Sequence, residues 1–101
     1  MEKLHSQQLA QALVGLPQWC YDNARGAITR EFLFQTFPQA FAFMAQLAIV
    51  AEQRNHHPEW FNVYNRVLIT LTTHDADGLT QQDLDWATYA DAAYARFAEI
   101  A

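Results

Sequence analysis

Three of the chain's four histidines, His56, His57 and His74, lie within nineteen positions of one another. An unperturbed imidazole has a pKa of about 6.5 and can both give and take a proton near neutrality. His56 and His57 follow a long apolar segment and precede Pro58. His74 ends a run of alternating Val, Leu, Ile and Thr residues. Glu52 stands four residues before His56, which on a continuing helix sets its carboxylate beside that ring. A helix C-terminus also favours a protonated imidazole. These residue types suit a site that protonates a leaving oxygen and removes a proton elsewhere.

Other chemistries fit less well. Adjacent His56 and His57 diverge in an extended chain and rarely share one ion; no His-Glu-x-x-His is present, and Cys20 is isolated. A zinc centre is therefore not expected. A nucleophilic mechanism lacks both a Gly-x-Ser-x-Gly turn and a cationic neighbour for Cys20. The only glycines are Gly15, Gly26 and Gly78, which make no phosphate loop. Taken singly, Asp83 reads as a helix cap and Glu52 as a solvated helix residue, and His5 is featureless.

The elements that must carry these side chains follow from breakers and periodicity. Ser6 is placed to cap a first helix through Leu9, Ala12 and Leu13, which Gly15 and Pro17 end. Gln18 to Asp22 and the alternating Ala27 to Phe34 read as two strands joined by the turn Asn23-Ala24-Arg25-Gly26. Thr36-Phe37-Pro38 opens a helix running to about Arg54. On it Gln39, Gln46 and Gln53 form one narrow polar stripe, and most other positions are apolar. A helix of this kind is expected to be buried on more than one side, with a partner subunit covering part of it. Trp60 to Tyr64 and Val67 to His74 form a second strand pair about a turn at Asn65-Arg66. Asp75 to Gly78 is a loop. Thr80-Gln81-Gln82-Asp83 resembles a capping box and starts the last helix, with Trp86 or Ala87, Ala90, Tyr94 and Phe97 on one face. Strands arriving in hairpins rather than βαβ units predict an α+β fold, order α-β-β-α-β-β-α, with an antiparallel sheet.

Composition sets the outer limits. The chain has 101 residues, of which 51% are hydrophobic and 17% charged, enough for one packed core and too few charges for disorder. A single domain spanning 1–101 is expected. The net charge of -5 disfavours binding to nucleic acid. The start MEKLHSQQLA lacks a signal-peptide pattern, and the apolar stretch 37–51 is too short to span a bilayer. No membrane role and a cytoplasmic location are expected.

Glu52-x-x-x-His56-His57-Pro58-x-Trp60-x-Asn62-x-Tyr64-Asn65, followed by Thr73-His74-Asp75, Gly78-Leu79-Thr80 and Asp83, resembles the pterin-4a-carbinolamine dehydratase family. Leu16-Pro17-x-Trp19, Ile28-x-Arg30-x-Phe32-x-Phe34 and Phe41-x-Phe43-Met44 extend the likeness over residues 16–97. The resemblance implies a four-stranded antiparallel sheet with three helices packed on one face, assembled as a homodimer or homotetramer. It implies dehydration of 4a-hydroxytetrahydropterin to quinonoid dihydropterin, in the recycling that serves aromatic amino acid hydroxylases. The pterin is the substrate, and neither a metal nor a separate cofactor is implied. His56, His57 and His74 match the catalytic positions. Glu52, Pro58, Thr73, Asp75 and Asp83 are the positions expected to bind or orient the substrate. Trp86-Ala87 and Ala90-Asp91 depart from the family's usual last helix. Some family members also bind a transcription factor's dimerisation helix, and the rival expectation is a protein-interaction module using Phe43, Leu47 and Val50.

Overall fold

The computed structural model describes residues 2–100, with side chains through residue 97. The elements run α1 (Ser6–Val14), β1 (Cys20–Asp22), β2 (Ala27–Leu33), α2 (Phe37–Arg54), β3 (Glu59–Val63), β4 (Arg66–Leu71), a single 3₁₀ turn (His74–Ala76) and α3 (Gln81–Ile100). The expected order of three helices and four strands is the observed one. The sheet is antiparallel throughout, in the order β1-β2-β4-β3, so each hairpin contributes one central and one edge strand.

The period-two pattern decides which face of the sheet is dry. Ile28 and Phe32 on β2, with Val67, Ile69 and Leu71 on β4, are fully buried. They meet Phe43 and Leu47 of α2 and Trp86, Ala87 and Ala90 of α3 in one core. Phe32 and Phe43 pack with tilted rings, their centroids 4.9 Å apart. Arg30 shares this face without breaking the core. Its guanidinium bonds Asp91 at 2.6 Å and lies 4.4 Å over the Phe32 ring, and Trp19 Nε1 donates to the same carboxylate at 2.9 Å. This partly buried charge pair ties the sheet to α3.

Several boundaries differ from expectation for local reasons. His5, not Ser6, is the N-cap of α1, and its amide is taken by the Gln8 side chain at 2.9 Å. The β1 strand keeps only three residues, because Trp19 turns into the core while Cys20 and Tyr21 stay at the edge. Tyr64 takes a left-handed turn conformation (φ 49°), which lets β4 start at Arg66. The β4 strand stops at Leu71, so His74 sits in the 3₁₀ turn and not at a strand end.

The faces of α2 also need correcting. Ala40, Phe43, Leu47, Val50 and Ala51 are the buried positions. Phe43, Leu47 and Val50 are therefore core residues of their own chain and cannot offer a docking face. The outward apolar residues are Phe37, Phe41 and Ile49, exposed by 43%, 58% and 62%. Gln46 is drawn aside to α3, where its Nε2 donates to the Tyr89 hydroxyl at 3.0 Å. Among the described residues, no helix is long and apolar enough to cross a membrane.

Candidate active site

The site begins with how α2 ends. Thr36 caps its start by accepting the Gln39 amide, and Pro38 lies in the first turn. Its C-cap, Asn55, adopts the left-handed conformation (φ 51°, ψ 42°), a region that Asn tolerates better than most residues. The chain therefore reverses after Arg54, and the His56 amide still reaches the Ala51 carbonyl at 3.0 Å. His56 turns inward and His57 turns back over the last helical turn.

The consequence is a division between the two rings. Nε2 of His56 meets Asp83 Oδ1 at 2.5 Å, with the Asp83 side chain fully buried. Nε2 of His57 meets Glu52 Oε1 at 2.9 Å on the exposed surface. Glu52 thus serves His57, not His56. The fourth-residue spacing presupposed a helix that continued past Arg54, and Asn55 breaks it.

Asp83 is both a cap and a partner to His56. Its Oδ2 accepts the Thr80 backbone N–H at 2.9 Å and the Thr73 hydroxyl at 2.7 Å. The first of these is half of the expected capping box; the Thr80 hydroxyl instead bonds Thr73 at 2.8 Å. Thr73 itself is fixed by a backbone bridge to Gly78, with its N–H on the Gly78 carbonyl at 3.0 Å.

His74 rises from the 3₁₀ turn and is 78% exposed; its nearest charged neighbour is Glu59, with Nε2 and Oε2 3.7 Å apart. Glu59 is itself held by Arg25 at 2.8 Å. The bond from Arg25 and its positive charge keep the Glu59 carboxyl below its ordinary value of 4.5, with His74 adding to the effect. The same contact raises Arg25.

All three histidines line one cleft of about 380 Å³, together with Thr73 and Asp75. The volume lies within the usual range of small-molecule pockets. A second hollow of about 440 Å³ continues from Arg54, His56 and Gln82 to Asp85. Pro58 is not on the cleft wall; it starts the extended run into β3. Among the described residues, no three His, Cys, Asp or Glu side chains gather as an ion's ligands. Another hollow, of about 280 Å³ between Lys3 and Arg25, contains none of the expected site residues.

Sequence reasoning missed Arg54, Asn55 and Gln82 on the wall, and Glu59 beside His74. An Asn between a helical repeat and a His-His-Pro run is a readable left-handed stop. Arg54 is oriented by its guanidinium over the Tyr89 ring at 5.3 Å, a contact between helices that spacing does not reveal.

The fold is thus an α+β layer in which the end of α2 and the 3₁₀ turn after β4 bring three imidazoles to one cleft. The chain belongs to the pterin 4 alpha carbinolamine dehydratase family, whose model matches residues 2–93. A relative in Burkholderia cenocepacia strain HI2424, provisionally named a pterin-4-alpha-carbinolamine dehydratase, is 53% identical over 94% of this chain and 93% of its own. A similarly named protein of Rhizorhabdus wittichii is 51% identical over 91% of this chain and 95% of its own. A crystal structure from Brucella melitensis, described as a transcriptional coactivator/pterin dehydratase, superposes with a TM-score of 0.89. It is 45% identical, over 92% of this chain and 99% of that one. A pterin dehydratase-like protein identified as a RuBisCO assembly factor in the alpha-carboxysome shares the fold alone. Its TM-score is 0.68 and its identity 24%, over 76% of this chain and 89% of that one.

Proposed function

We propose that this chain is a hydro-lyase that dehydrates 4a-hydroxytetrahydropterin to quinonoid dihydropterin by imidazole acid–base chemistry. The observation that carries the reading is the meeting of His56, His57 and His74 on one cleft in a member of this family. The reaction breaks the C4a–O bond. A proton delivered to the hydroxyl lets it leave as water, while loss of the N5 proton supplies the electron pair of the new C4a=N5 bond. No metal ion is needed for either transfer.

His74 is the acid in this scheme. It is exposed at the cleft rim, where its Nε2 lies 3.7 Å from Glu59 Oε2 and a bound ligand's hydroxyl can reach the ring. His56 and His57 hold the heterocycle and take up the N5 proton. His56 is the better-placed base, because the buried Asp83 carboxylate steadies the imidazolium that forms.

The test is the rate of dehydration of 4a-hydroxytetrahydropterin with wild type, His56→Ala and His74→Ala. Wild type should accelerate the reaction over buffer, and each alanine variant should lose roughly 10²- to 10⁴-fold. A wild-type rate equal to buffer would reject the enzymatic reading; folded alanine variants with full activity would reject the residue roles.

The outward Phe37, Phe41 and Ile49 of α2 support assembly with further copies of this chain. Phe41→Glu with Ile49→Glu should lower the particle mass in light scattering. An unchanged mass would show that α2 takes no part in assembly.

A further inference from the structure

We propose that the hollow beyond His56, between the end of α2 and the start of α3, holds a hydroxylated substituent on C6 of the pterin, with Arg54, Gln82 and Asp85 selecting for it. The inference rests on the dehydratase reading above and on its assignment of the N5 proton to His56.

Ring connectivity sets the direction. N5 of the pterin is bonded to C4a on one side and to C6 on the other. The hydroxyl on C4a faces His74 and the N5 proton faces His56, so C6 lies on the side of N5 away from His74. A substituent on C6 therefore points past His56. The space there is the second hollow. It shares Arg54, His56 and Gln82 with the cleft, has Asp85 where the cleft has the His74 turn, and measures about 440 Å³. A ring without a substituent leaves this hollow to water.

Its walls offer hydrogen-bonding groups of both kinds. Gln82 and Asp85 stand three residues apart on α3, so their side chains share one face. Gln81 Nε2 donates to Asp85 Oδ1 at 2.9 Å, which steadies the carboxylate and leaves Oδ2 to accept from a ligand. Arg54 ends α2, and its guanidinium rests 5.3 Å over the Tyr89 ring. That ring is itself held by Gln46, which donates to the Tyr89 hydroxyl at 3.0 Å. Arg54 thus presents donors, Asp85 an acceptor and Gln82 both.

This set matches hydroxyls better than a charge or an alkyl group. A hydroxyl donates and accepts, so a diol satisfies Arg54 and Asp85 together. A carboxylate gains at Arg54 and is repelled by Asp85. An alkyl group displaces water from three polar side chains and replaces none of the bonds. Arg54 and Asp85 are exposed and Gln82 is half-buried, so water competes for all three. The selection is therefore worth roughly tenfold, the scale of one hydrogen bond to a charged group.

The test uses the full chain and three substituents on C6: dihydroxypropyl, methyl and carboxyethyl. Calorimetry measures binding of the dihydropterins, and kcat/KM is measured for the matching 4a-hydroxytetrahydropterins. Wild type should bind the dihydroxypropyl form roughly tenfold more tightly than either other form, with the same order in kcat/KM. Arg54→Leu and Gln82→Leu should each cut the dihydroxypropyl-to-methyl ratio by about threefold or more. Asp85→Asn should bring the carboxyethyl form closer to the diol. If Gln82→Leu fails to fold, Arg54→Leu, at an exposed position, decides the matter. Equal affinity for the methyl and dihydroxypropyl forms in wild type, a preference for carboxyethyl, or no binding of any form overturns the proposal. So does a full ratio persisting in the folded leucine variants. Turnover of all three forms at equal kcat/KM rejects the substituent site and upholds the dehydratase reading. Substituent-dependent binding without turnover rejects that reading and keeps the site.

Discussion

Nε2 of His56 and Oδ1 of Asp83 stand 2.5 Å apart, the carboxylate wholly shielded from solvent and the ring nearly so. A charge in such a place persists only when its lone pairs are taken, and Asp83 accepts three hydrogen bonds. Replacing it separates two roles. Asp83→Asn keeps the shape, but its carbonyl oxygen must face the Thr73 and Thr80 donors, so its NH₂ faces His56. The ring is then forced to the opposite tautomer. The expected outcome is a folded protein whose kcat falls roughly 10²- to 10⁴-fold in the dehydration assay. Asp83→Ala strands all three partners and should cost about 3–5 kcal/mol in urea unfolding. An Asn variant with wild-type kcat would mean that the carboxylate acts only as a cap.

Asn55 governs where both adjacent histidines go. Its left-handed backbone (φ 51°) reverses the chain between Arg54 and His56. Asn55→Gly should be neutral to within about 0.5 kcal/mol, because glycine adopts this region freely. Asn55→Val should cost about 1–2 kcal/mol and lower activity as well, because relief of the strain re-aims His56 and His57. Denaturation midpoints and initial rates, measured on the same preparations, check both statements.

The elements of this fold were readable because each has a local cause. The alternation of Ile28, Arg30, Phe32 and Phe34 shows the inner face of β2, and Pro38 with Thr36 shows the start of α2. The three histidines stood out for their residue type, and the family resemblance joined them. What stayed hidden were relationships set by tertiary geometry. Glu52 pairs with His57 because one left-handed residue breaks the helical spacing. Arg25 of the β1–β2 turn reaches Glu59 at the start of β3, a pairing between segments far apart in sequence that no local pattern reveals. The burial of Phe43, Leu47 and Val50 could not be separated from that of Phe41 and Ile49 on a helix apolar nearly all round. Only the position of the sheet decides which side is dry.

Gly26 supports the His74 turn from behind. It sits at φ 64°, and a Cβ there would lie 2.9 Å from the Gly78 Cα. Its carbonyl also accepts the Thr72 hydroxyl at 2.8 Å. Gly78 in turn bridges Thr73, so any push at Gly26 reaches the residue before His74. Gly26→Ala is expected to cost about 1–3 kcal/mol and to reduce activity more than Gly15→Ala, whose added carbon meets only the Ala12 carbonyl at 3.5 Å. Equal activity in the two variants would show that the loop absorbs the strain without moving His74.

The Arg25–Glu59 pair sets a pH dependence at the cleft rim. The Glu59 carboxyl is held below 4.5 chiefly by the hydrogen bond from Arg25, then by the Arg25 charge and that of His74. A depressed carboxyl favours the folded state above its unfolded value and loses that contribution as the pH falls through the folded one. Glu59→Gln should therefore be slightly less stable than wild type at about pH 7, with the gap closing as the pH falls through and below the ordinary carboxylate range. Both side chains are nearly half exposed, so added salt should narrow the gap at neutral pH. Urea midpoints of the two proteins across this range, at low and high salt, provide the check. Midpoints that stay parallel down the acid limb would mean that Arg25 and Glu59 do not interact in solution.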